Sequence, residues 1–416
     1  MTSSIGRRIL TKLCRSKLNS LSSQIIVTRF SSIATEENVK SVRNAIPALQ
    51  PGKIQAALLK EFSNPLVIEN VEPPKRVQVN EVLIDVHYCA LNASDTLLSQ
   101  NLYTFEPKLP MVLGYEVVGK LIEIGAEAEK NGYKVGDKVI ALNKERYGGL
   151  ADKCLAEVGD IWKAPPMASS RDAASILDNY ITALVALERK VNIDEDDMII
   201  INVGISGVGL AAVDLATNVF KAKVVGVCAS EEGAGQVREK GAFASLKYKD
   251  KKLLKQIEEI AAERDIKGIF DDVDGECFKK ILSCFTDVYK DATLKDLLRD
   301  DNFAVVVHHL SREGRVIVAG TAAATTDVHS EVQKGSFSVT GFNLTEYRRK
   351  KPDVYREAGD NVLQFLEEKL ITPSCSLIVG LHKINDALRF LAESKSSGKV
   401  VIDIRNKDAD AVKVTA

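Results

Sequence analysis

The feature that most constrains the fold is an apolar strand that runs into a glycine-rich turn and then into a helix. The apolar run Met198–Val203 is followed by Gly204-Ile-Ser-Gly-Val-Gly209, and the apolar residues after this turn have helical spacing. A second apolar run, Lys223–Cys228, follows one crossover later. This order of strand, turn, helix and strand predicts the βαβ unit of a dinucleotide-binding domain.

Each small residue of this turn has its own steric task. Backbone N–H groups at the start of a helix can reach a pyrophosphate only where no Cβ stands in the way. Gly204 supports the tight turn, Gly207 permits the close approach, and Gly209 lets the helix pack against the strand. Ser206 stands where the plain pattern of such turns has its second glycine.

The composition is that of a globular protein with reduced cysteines. A chain of 416 residues is long enough for two domains, and a hydrophobic share of 45% with a charged share of 27% is ordinary. No apolar run approaches the ~18 residues that a membrane span needs. The seven cysteines are scattered without a CxxC pair, which argues against a disulfide framework and against a cysteine-rich zinc site.

The N-terminal stretch differs from the rest of the chain. Residues 1–30 are rich in serine and basic residues, and no acidic residue precedes Glu36. This composition predicts a mitochondrial transit peptide that is cut after Phe30, followed by a leader over 31–52, and hence a matrix location. Removing residues 1–30 takes away six positive charges and no negative ones, so the formal net charge changes from −1 to −7. Nucleic acid is therefore not expected as a principal partner.

The pattern of apolar and turn-forming residues differs between two long parts of the chain. Over 53–170, short β-rich runs alternate with turn signals, which predicts a compact, mostly antiparallel β-domain. Over 171–342, long helices alternate with apolar runs that could form one parallel sheet.

The segment 275–314 is longer than one helix and a turn require. An inserted surface helix is the simpler interpretation of that segment, and a lid or a partner-binding element is the alternative.

Eight short motifs occur in order between Ile54 and Ile404. They are Ala90-Leu-Asn92-Ala-Ser-Asp95, Gly114-Tyr-Glu116-Val-Val-Gly119, Val135-Gly-Asp-Lys-Val139, Gly148-Gly-Leu-Ala151, Thr182-Ala183, Gly204–Gly209, Gly314-Arg-Val-Ile-Val-Ala-Gly320 and Gly398-Lys-Val-Val401. Together they resemble the medium-chain dehydrogenase/reductase superfamily, in its zinc-independent quinone oxidoreductase branch. The resemblance implies an α/β fold in which a Rossmann domain over 171–342 is inserted into a GroES-like β-domain over 53–170, to which residues 343–405 return.

The branch follows from the residues at the expected metal site. Zinc alcohol dehydrogenases of this superfamily place a cysteine where this chain has Asn92 and a histidine where it has Tyr115. Neither replacement is a good Zn²⁺ ligand, and Glu116 alone cannot hold a catalytic metal. We therefore expect no zinc. The reaction that remains is reduction by NAD(P)H, with the protein orienting an electron-poor alkene or quinone against the nicotinamide and hydrogen-bonding its carbonyl.

By the same resemblance, Asn92 and Tyr103 line the substrate side of the nicotinamide. An amide and a phenol can each donate a hydrogen bond to an oxygen that gains negative charge as hydride arrives. Asp95 is expected to fix that loop through backbone bonds, and turn formation is the alternative role for both Asn92 and Asp95. The residues expected at the cofactor are Thr182, Gly204, Ser206, Gly207, Val208, Gly209, Ser230, Tyr248 and Gly320.

The end of the second Rossmann strand indicates which cofactor binds. NAD-specific sites carry Asp or Glu there to accept the ribose 2′-hydroxyl, whereas this strand ends in Val227-Cys-Ala-Ser230. Ser230 could donate to a 2′-phosphate, and NADPH-binding relatives have a tyrosine at the position of Tyr248. Glu231 and Glu232 follow at once and favour NADH. We expect NADPH, with NADH as the alternative.

Two classes of function agree with these features. The first is a reductase of quinones or α,β-unsaturated carbonyl compounds, with an enoyl-thioester reductase as a variant. The second is an NADPH-binding protein with little turnover that acts through partners. Some quinone reductases carry an aromatic residue at the position of Leu97 and a basic one at that of Ser99, and the absence of both favours the second class.

The resemblance also implies a homodimer. The basic segment Arg348–Lys351 is expected to be a solvent-exposed approach to a helix rather than a nucleic-acid patch.

Overall fold

The computed structural model describes residues 46–75, 77–101, 107–204, 207–271, 310–318, 332–334, 337–341, 343–393 and 398–413. Only the backbone is described for the three segments between 310 and 341 and for residue 413. The predicted transit peptide, most of the leader and most of the predicted insertion lie outside these residues. Tyr103, Ser206 and Gly320, which were expected at the site, also lie outside them.

The first part of the chain folds as strands joined by turns and short helices. Its elements are β1 (Ile54–Leu59), β2 (Val67–Val71), β3 (Glu81–Leu91), α1 (Ala93–Ser99), β4 (Met111–Val112), β5 (Glu116–Ile124), α2 (Ala126–Lys130), β6 (Lys138–Leu142), β7 (Lys153–Glu157) and β8 (Ile161–Lys163). Strand β1 pairs antiparallel with β2 and β4, and β3 pairs antiparallel with β5 and β7. A Cβ at Gly119 of β5 would lie 2.2 Å from the backbone oxygen of Asp85, so this close pairing requires glycine.

The middle part alternates helices with parallel strands. Its elements are α3 (Ser170–Ala174), α4 (Leu177–Val185), β9 (Met198–Val203), α5 (Val208–Asn218), β10 (Lys223–Cys228), α6 (Glu231–Glu239), β11 (Ala244–Lys247), α7 (Leu253–Glu263), β12 (Ile266–Asp271), β13 (Leu310–Val318), β14 (Val332–Lys334) and β15 (Phe337–Gly341). The strands lie in the order β11-β10-β9-β12-β13-β15-β14, and all pair in parallel except β14 with β15. From β11 to β15 this is the strand order of a Rossmann fold, with its ligand crevice between β9 and β12.

The last part of the chain returns to the first β-domain. Its elements are α8 (Leu344–Lys350), α9 (Pro352–Glu367), β16 (Cys375–Gly380), α10 (Ile384–Ala392), β17 (Lys399–Asp403) and β18 (Val412–Lys413). Strand β17 pairs antiparallel with β3, with Val401 opposite Ala90, and β16 pairs with β17. The predicted fold class, a Rossmann domain inserted into a GroES-like β-domain, is confirmed. The boundaries at 170, 342 and 405 stay predictions.

An ion-pair network joins α8 to the β-domain. Arg348 binds Asp160 with two hydrogen bonds, from Nε at 2.5 Å and from Nη2 at 2.6 Å, and it also donates to Glu157 at 2.7 Å. The hydrogen bonds to Asp160 raise the pKa of Arg348 above its ordinary value. The expectation of a solvated segment is therefore wrong for Arg348, whose side chain is 18% exposed, whereas Lys350 is 75% exposed.

Across the described residues, no helix combines the length and apolar character needed to cross a membrane.

Candidate active site

The loop that follows β3 is held by one buried carboxylate. Asn92 lies at the start of α1, and Asp95 lies one turn further along that helix. One oxygen of Asp95 accepts the backbone N–H of Asn92 at 2.9 Å, and the other accepts that of Gly114 at 3.0 Å. Asp95 thereby ties the start of α1 to the segment before β5. These are backbone bonds of the kind expected for Asp95 from the sequence.

Behind this loop, a buried lysine links Asn92 to Glu116. Lys399, the first residue of β17, donates from Nζ to Asn92 Oδ1 and, at 2.8 Å, to Glu116 Oε2. Asn92 Nδ2 lies 3.3 Å from the same oxygen of Glu116. The side chains of Lys399 and Glu116 are 2% and 0% exposed, so this ion pair lies inside the protein. Since the lysine binds Oδ1, it fixes which end of the Asn92 amide donates.

A second line of hydrogen bonds begins on α1 and ends at a partly exposed lysine. Ser94 Oγ lies 2.8 Å from the hydroxyl of Tyr115, and Tyr115 donates to Asp178 Oδ2 at 2.8 Å. Lys144 donates to the other oxygen of Asp178 at 2.6 Å and is 17% exposed. Four polar side chains thus connect the loop beside Asn92 to the surface.

Each of the two buried carboxylates at this site pairs with a lysine. Glu116 faces Lys399 and Asp178 faces Lys144, and the backbone N–H of Asp178 donates to Glu116 Oε1 at 3.1 Å. Burial disfavours the Asp178 carboxylate, but the ammonium groups of Lys144 and Lys399 outweigh it and hold the pKa of Asp178 below its ordinary value. Burial and the Asp178 charge raise the pKa of Tyr115 well above its ordinary value, so Tyr115 is a neutral donor.

Within the described residues, no group of three or more histidine, cysteine, aspartate or glutamate side chains is placed to hold a metal ion. The residues that take the expected metal-ligand positions, Asn92 and Tyr115, instead hydrogen-bond other side chains.

The glycine-rich turn lies between β9 and α5. Gly207 has a left-handed backbone with φ of +83°, and a Cβ there would lie 2.5 Å from Asn179 Nδ2. Both features require glycine. Val208 and Gly209 begin α5 and are buried, and Gly204 follows the last residue of β9. Thr182, on α4, is 4% exposed.

The end of β10 carries the other residues expected at the cofactor. Ser230 caps α6, since its hydroxyl accepts the N–H of Gly233 at 3.1 Å. The backbone N–H of Tyr248 donates to the carbonyl of Cys228 at 2.8 Å, which brings the half-buried Tyr248 to the end of this strand.

The structure brings together more residues than the sequence motifs indicated. Asn92 and Asp95 lie on one loop, and Thr182, Gly207, Ser230 and Tyr248 lie at the carboxyl end of the parallel sheet or on the helices beside it. Lys399, Asp178, Lys144 and Ser94 were missed. The available signal was Lys399, a charged residue in the otherwise apolar motif Gly398-Lys-Val-Val401. Nothing in the sequence pairs Lys144 with Asp178.

The fold and the site can be compared with known proteins. A family model described as the alcohol dehydrogenase GroES-like domain matches residues 78–165. Quinone oxidoreductase-like protein 2 of Bos taurus is 29% identical over 353 residues, which cover 84% of this chain and 93% of that protein. The quinone oxidoreductase of Escherichia coli, solved in complex with NADPH, has a TM-score of 0.66 at 20% identity, covering 85% of this chain and 99% of that one.

Similarity to these proteins supports the resemblance to the zinc-independent quinone oxidoreductase branch of the medium-chain dehydrogenase/reductase superfamily that the motifs indicated. The CurK enoyl reductase, another solved structure, has the same fold, with a TM-score of 0.68 at 20% identity over 85% of this chain and 99% of that one.

The buried Asp95 is expected to make the stability of the protein depend on pH. Burial raises the pKa of Asp95 from its ordinary 3.8 to about 7, although the N–H groups of Asn92 and Gly114 oppose this. The folded protein then holds this proton more tightly than the unfolded chain, so the stabilisation is present at low pH and is lost as the pH rises to about 7. Between pH 4.5 and 7.5 the loss should be about 3 kcal/mol.

The measurement is the free energy of unfolding in urea at both pH values, for wild type and for Asp95→Asn. The difference between the two proteins should change by about 3 kcal/mol, because asparagine does not titrate. Asp353→Asn, which alters an exposed carboxylate, should follow the wild-type curve. Identical pH dependence of wild type and Asp95→Asn would show that Asp95 is ionised throughout.

Proposed function

We propose that this chain is a zinc-independent, NADPH-dependent reductase of quinones or α,β-unsaturated carbonyl compounds that acts by direct hydride transfer. The observation that carries the proposal is the contact of Lys399 with both Asn92 and Glu116. An ammonium group supplies positive charge at the loop where zinc enzymes of the superfamily place metal ligands. Charge balance at this loop therefore requires no cation, which supports reduction without a metal.

The turn at the start of α5 and the end of β10 support NADPH as the cofactor. Gly207 has a left-handed backbone and stands at the N-terminus of α5, the position at which Rossmann folds bind a pyrophosphate. The start of α5, at Val208 and Gly209, would lie next to it, and Ser230 and Tyr248 would lie by the 2′-phosphate. When bound, the nicotinamide of NADPH supplies the hydride.

Asn92 is proposed to donate to the substrate oxygen. Its Oδ1 accepts from Lys399, so Nδ2 is the group of the amide that can donate. Nδ2 carries two hydrogens, and the contact with Glu116 uses one of them. The positive charge of Lys399 polarises the amide in the direction that favours donation to an oxygen gaining negative charge. Tyr103, the second donor expected from the sequence, keeps that role as a proposal.

The line from Ser94 to Lys144 is proposed to supply the proton. Reduction of an enone consumes one hydride and one proton. The proton would leave the Ser94 hydroxyl for the reduced substrate, and Tyr115 would reprotonate Ser94. The Asp178 carboxylate would take a proton from Lys144 and pass it to Tyr115. The ammonium of Lys144 would lose one proton and regain it from solvent through its exposed face. Each intermediate group ends with the protons it began with.

Import into the mitochondrial matrix is also proposed, on the basis of the basic, acid-free composition of residues 1–30. A homodimer is proposed from the resemblance alone.

The function is tested by following NADPH consumption by purified protein with three panels of electrophiles: quinones, enones and enoyl thioesters. Turnover with one class assigns the substrate class. Tight NADPH binding without consumption in any panel would refute the reductase and favour the binding protein that acts through partners.

Cofactor preference is expected to depend on Tyr248. Wild type should bind NADPH more tightly than NADH, and Tyr248→Ala should weaken NADPH binding about ten- to a hundredfold while changing NADH binding little, since a charge-assisted contact to phosphate is worth ~1.5–3 kcal/mol. Titration calorimetry with both cofactors measures this, and Tyr248→Phe separates the hydroxyl from the ring. Equal affinities of wild type for NADPH and NADH would refute the assignment.

A further inference from the structure

Three charged side chains meet at the end of the second Rossmann strand. Lys247, the last residue of β11, lies opposite Cys228, the last residue of β10, in the parallel pairing of these strands. Glu231 is the first residue of α6, and Arg238 lies two turns further along the same helix. In a Rossmann domain this is where the adenosine ribose 2′ position is recognised.

The carboxylate of Glu231 lies between the two basic groups. Its Oε1 accepts from Arg238 Nη2 at 3.0 Å, and its Oε2 lies 3.0 Å from Lys247 Nζ. Hydrogen bonds from Lys247 and Arg238 lower the pKa of Glu231, so the carboxylate is charged near neutral pH. The three side chains are 52–64% exposed, so they can rearrange at little cost.

The two kinds of cofactor would act differently on this group. A ribose 2′-hydroxyl can donate to a carboxylate, so NADH can bind while Glu231 keeps both of its partners. A 2′-phosphate carries negative charge and binds Lys and Arg, so it would compete with Glu231 for them and be repelled by it.

We propose that Glu231 is an internal anion that competes with the cofactor's 2′-phosphate for Lys247 and Arg238, and so sets how strongly the site prefers NADPH over NADH. The proposal rests on the cofactor assigned under the proposed function and extends it, because it names an acidic residue that limits the preference. It also gives a role to the acidic residue at this point of the sequence, where Val227-Cys-Ala-Ser230 contains no acid and Glu231 follows directly.

Binding measurements test the proposal without any need for turnover. Glu231→Gln should bind NADPH roughly three- to fivefold more tightly than wild type, and 2′,5′-ADP likewise, while NADH binding should be unchanged or weaker. Lys247→Ala and Arg238→Ala should each weaken NADPH roughly tenfold and leave NADH unchanged. The gain in Glu231→Gln should shrink as the salt concentration rises.

Glu239→Gln is the matched control, because it removes the same charge from the exposed far end of α6. It should leave NADPH affinity at the wild-type value. Wild-type NADPH affinity in Glu231→Gln, or an equal gain in Glu239→Gln, would overturn the proposal and leave the cofactor assignment intact. A wild-type protein that binds neither NADPH nor 2′,5′-ADP would overturn both. A protein that binds as expected yet has no turnover would refute only the reductase.

Discussion

Replacing Lys399 by methionine is expected to lower the free energy of unfolding by about 3–5 kcal/mol, because it leaves the buried carboxylate of Glu116 without its cation. Methionine keeps an unbranched apolar stem of similar length, so the loss reports charge rather than volume. Urea denaturation at pH 7, followed by circular dichroism, measures the change. Lys350→Met is the exposed control; its ion pair with Glu346 is 2.8 Å long and lies at the surface, so the loss should stay below about 1 kcal/mol.

A double variant separates charge from packing. Adding Glu116→Gln to Lys399→Met removes the unpaired charge, and neutral replacement of a whole buried pair is often tolerated. The double variant should therefore be more stable than Lys399→Met alone. If the double variant loses as much stability as Lys399→Met and Glu116→Gln lose in sum when each is measured alone, Lys399 and Glu116 do not interact as described.

Asn92→Ala is expected to lower turnover about 10²–10³-fold, the usual effect of removing one preorganised donor to a developing negative charge. The dissociation constant for NADPH should be unchanged, because Asn92 lies on the β-domain loop and not at the Rossmann turn. Steady-state kinetics with a substrate from the active panel, together with NADPH calorimetry, measure the two quantities. Asn64→Ala, which alters an exposed asparagine of the same domain, should retain wild-type turnover.

A structural role for Asn92 gives a different result. Asn92 also accepts from Lys399, so its loss could act through stability alone. In that case the thermal transition would fall, and turnover at a temperature well below it would remain near wild type. A loss of turnover without loss of NADPH binding or of folded protein supports direct contact with the substrate.

The sequence predicts the strands well where apolar runs end abruptly. Met198–Val203 and Lys223–Cys228 have the predicted bounds. Asp197 and Gly204 flank the first run directly, and Lys221 and Ser230 lie two positions outside the second. Strand β12, which spans Ile266–Asp271, is less clear from the sequence. Lys267 and Gly268 interrupt the apolar pattern at its start, and parallel pairing with β9 nevertheless extends the strand through them.

The candidate site was only partly predictable, for a physical reason. Asn92 and Asp95 stand in a local motif whose geometry one helical turn determines. Lys399 reaches Asn92 across 307 positions of sequence, because β17 returns to pair with β3. A lysine in the sequence by itself predicts an exposed side chain, because burying an unpaired ammonium group costs too much free energy. Only the tertiary pairing with Glu116 reveals that it is buried.

The most direct test of hydride transfer uses NADPH that carries deuterium at C4 of the nicotinamide, in both stereochemical forms, with an enone from the active panel. Mass spectrometry and NMR of the product locate the label. The account predicts one deuterium at the carbon β to the carbonyl from one of the two forms, none from the other, and slower turnover with the transferred label. Product that carries no deuterium from either form, or NADPH that binds and is never consumed, would contradict direct hydride transfer by this protein.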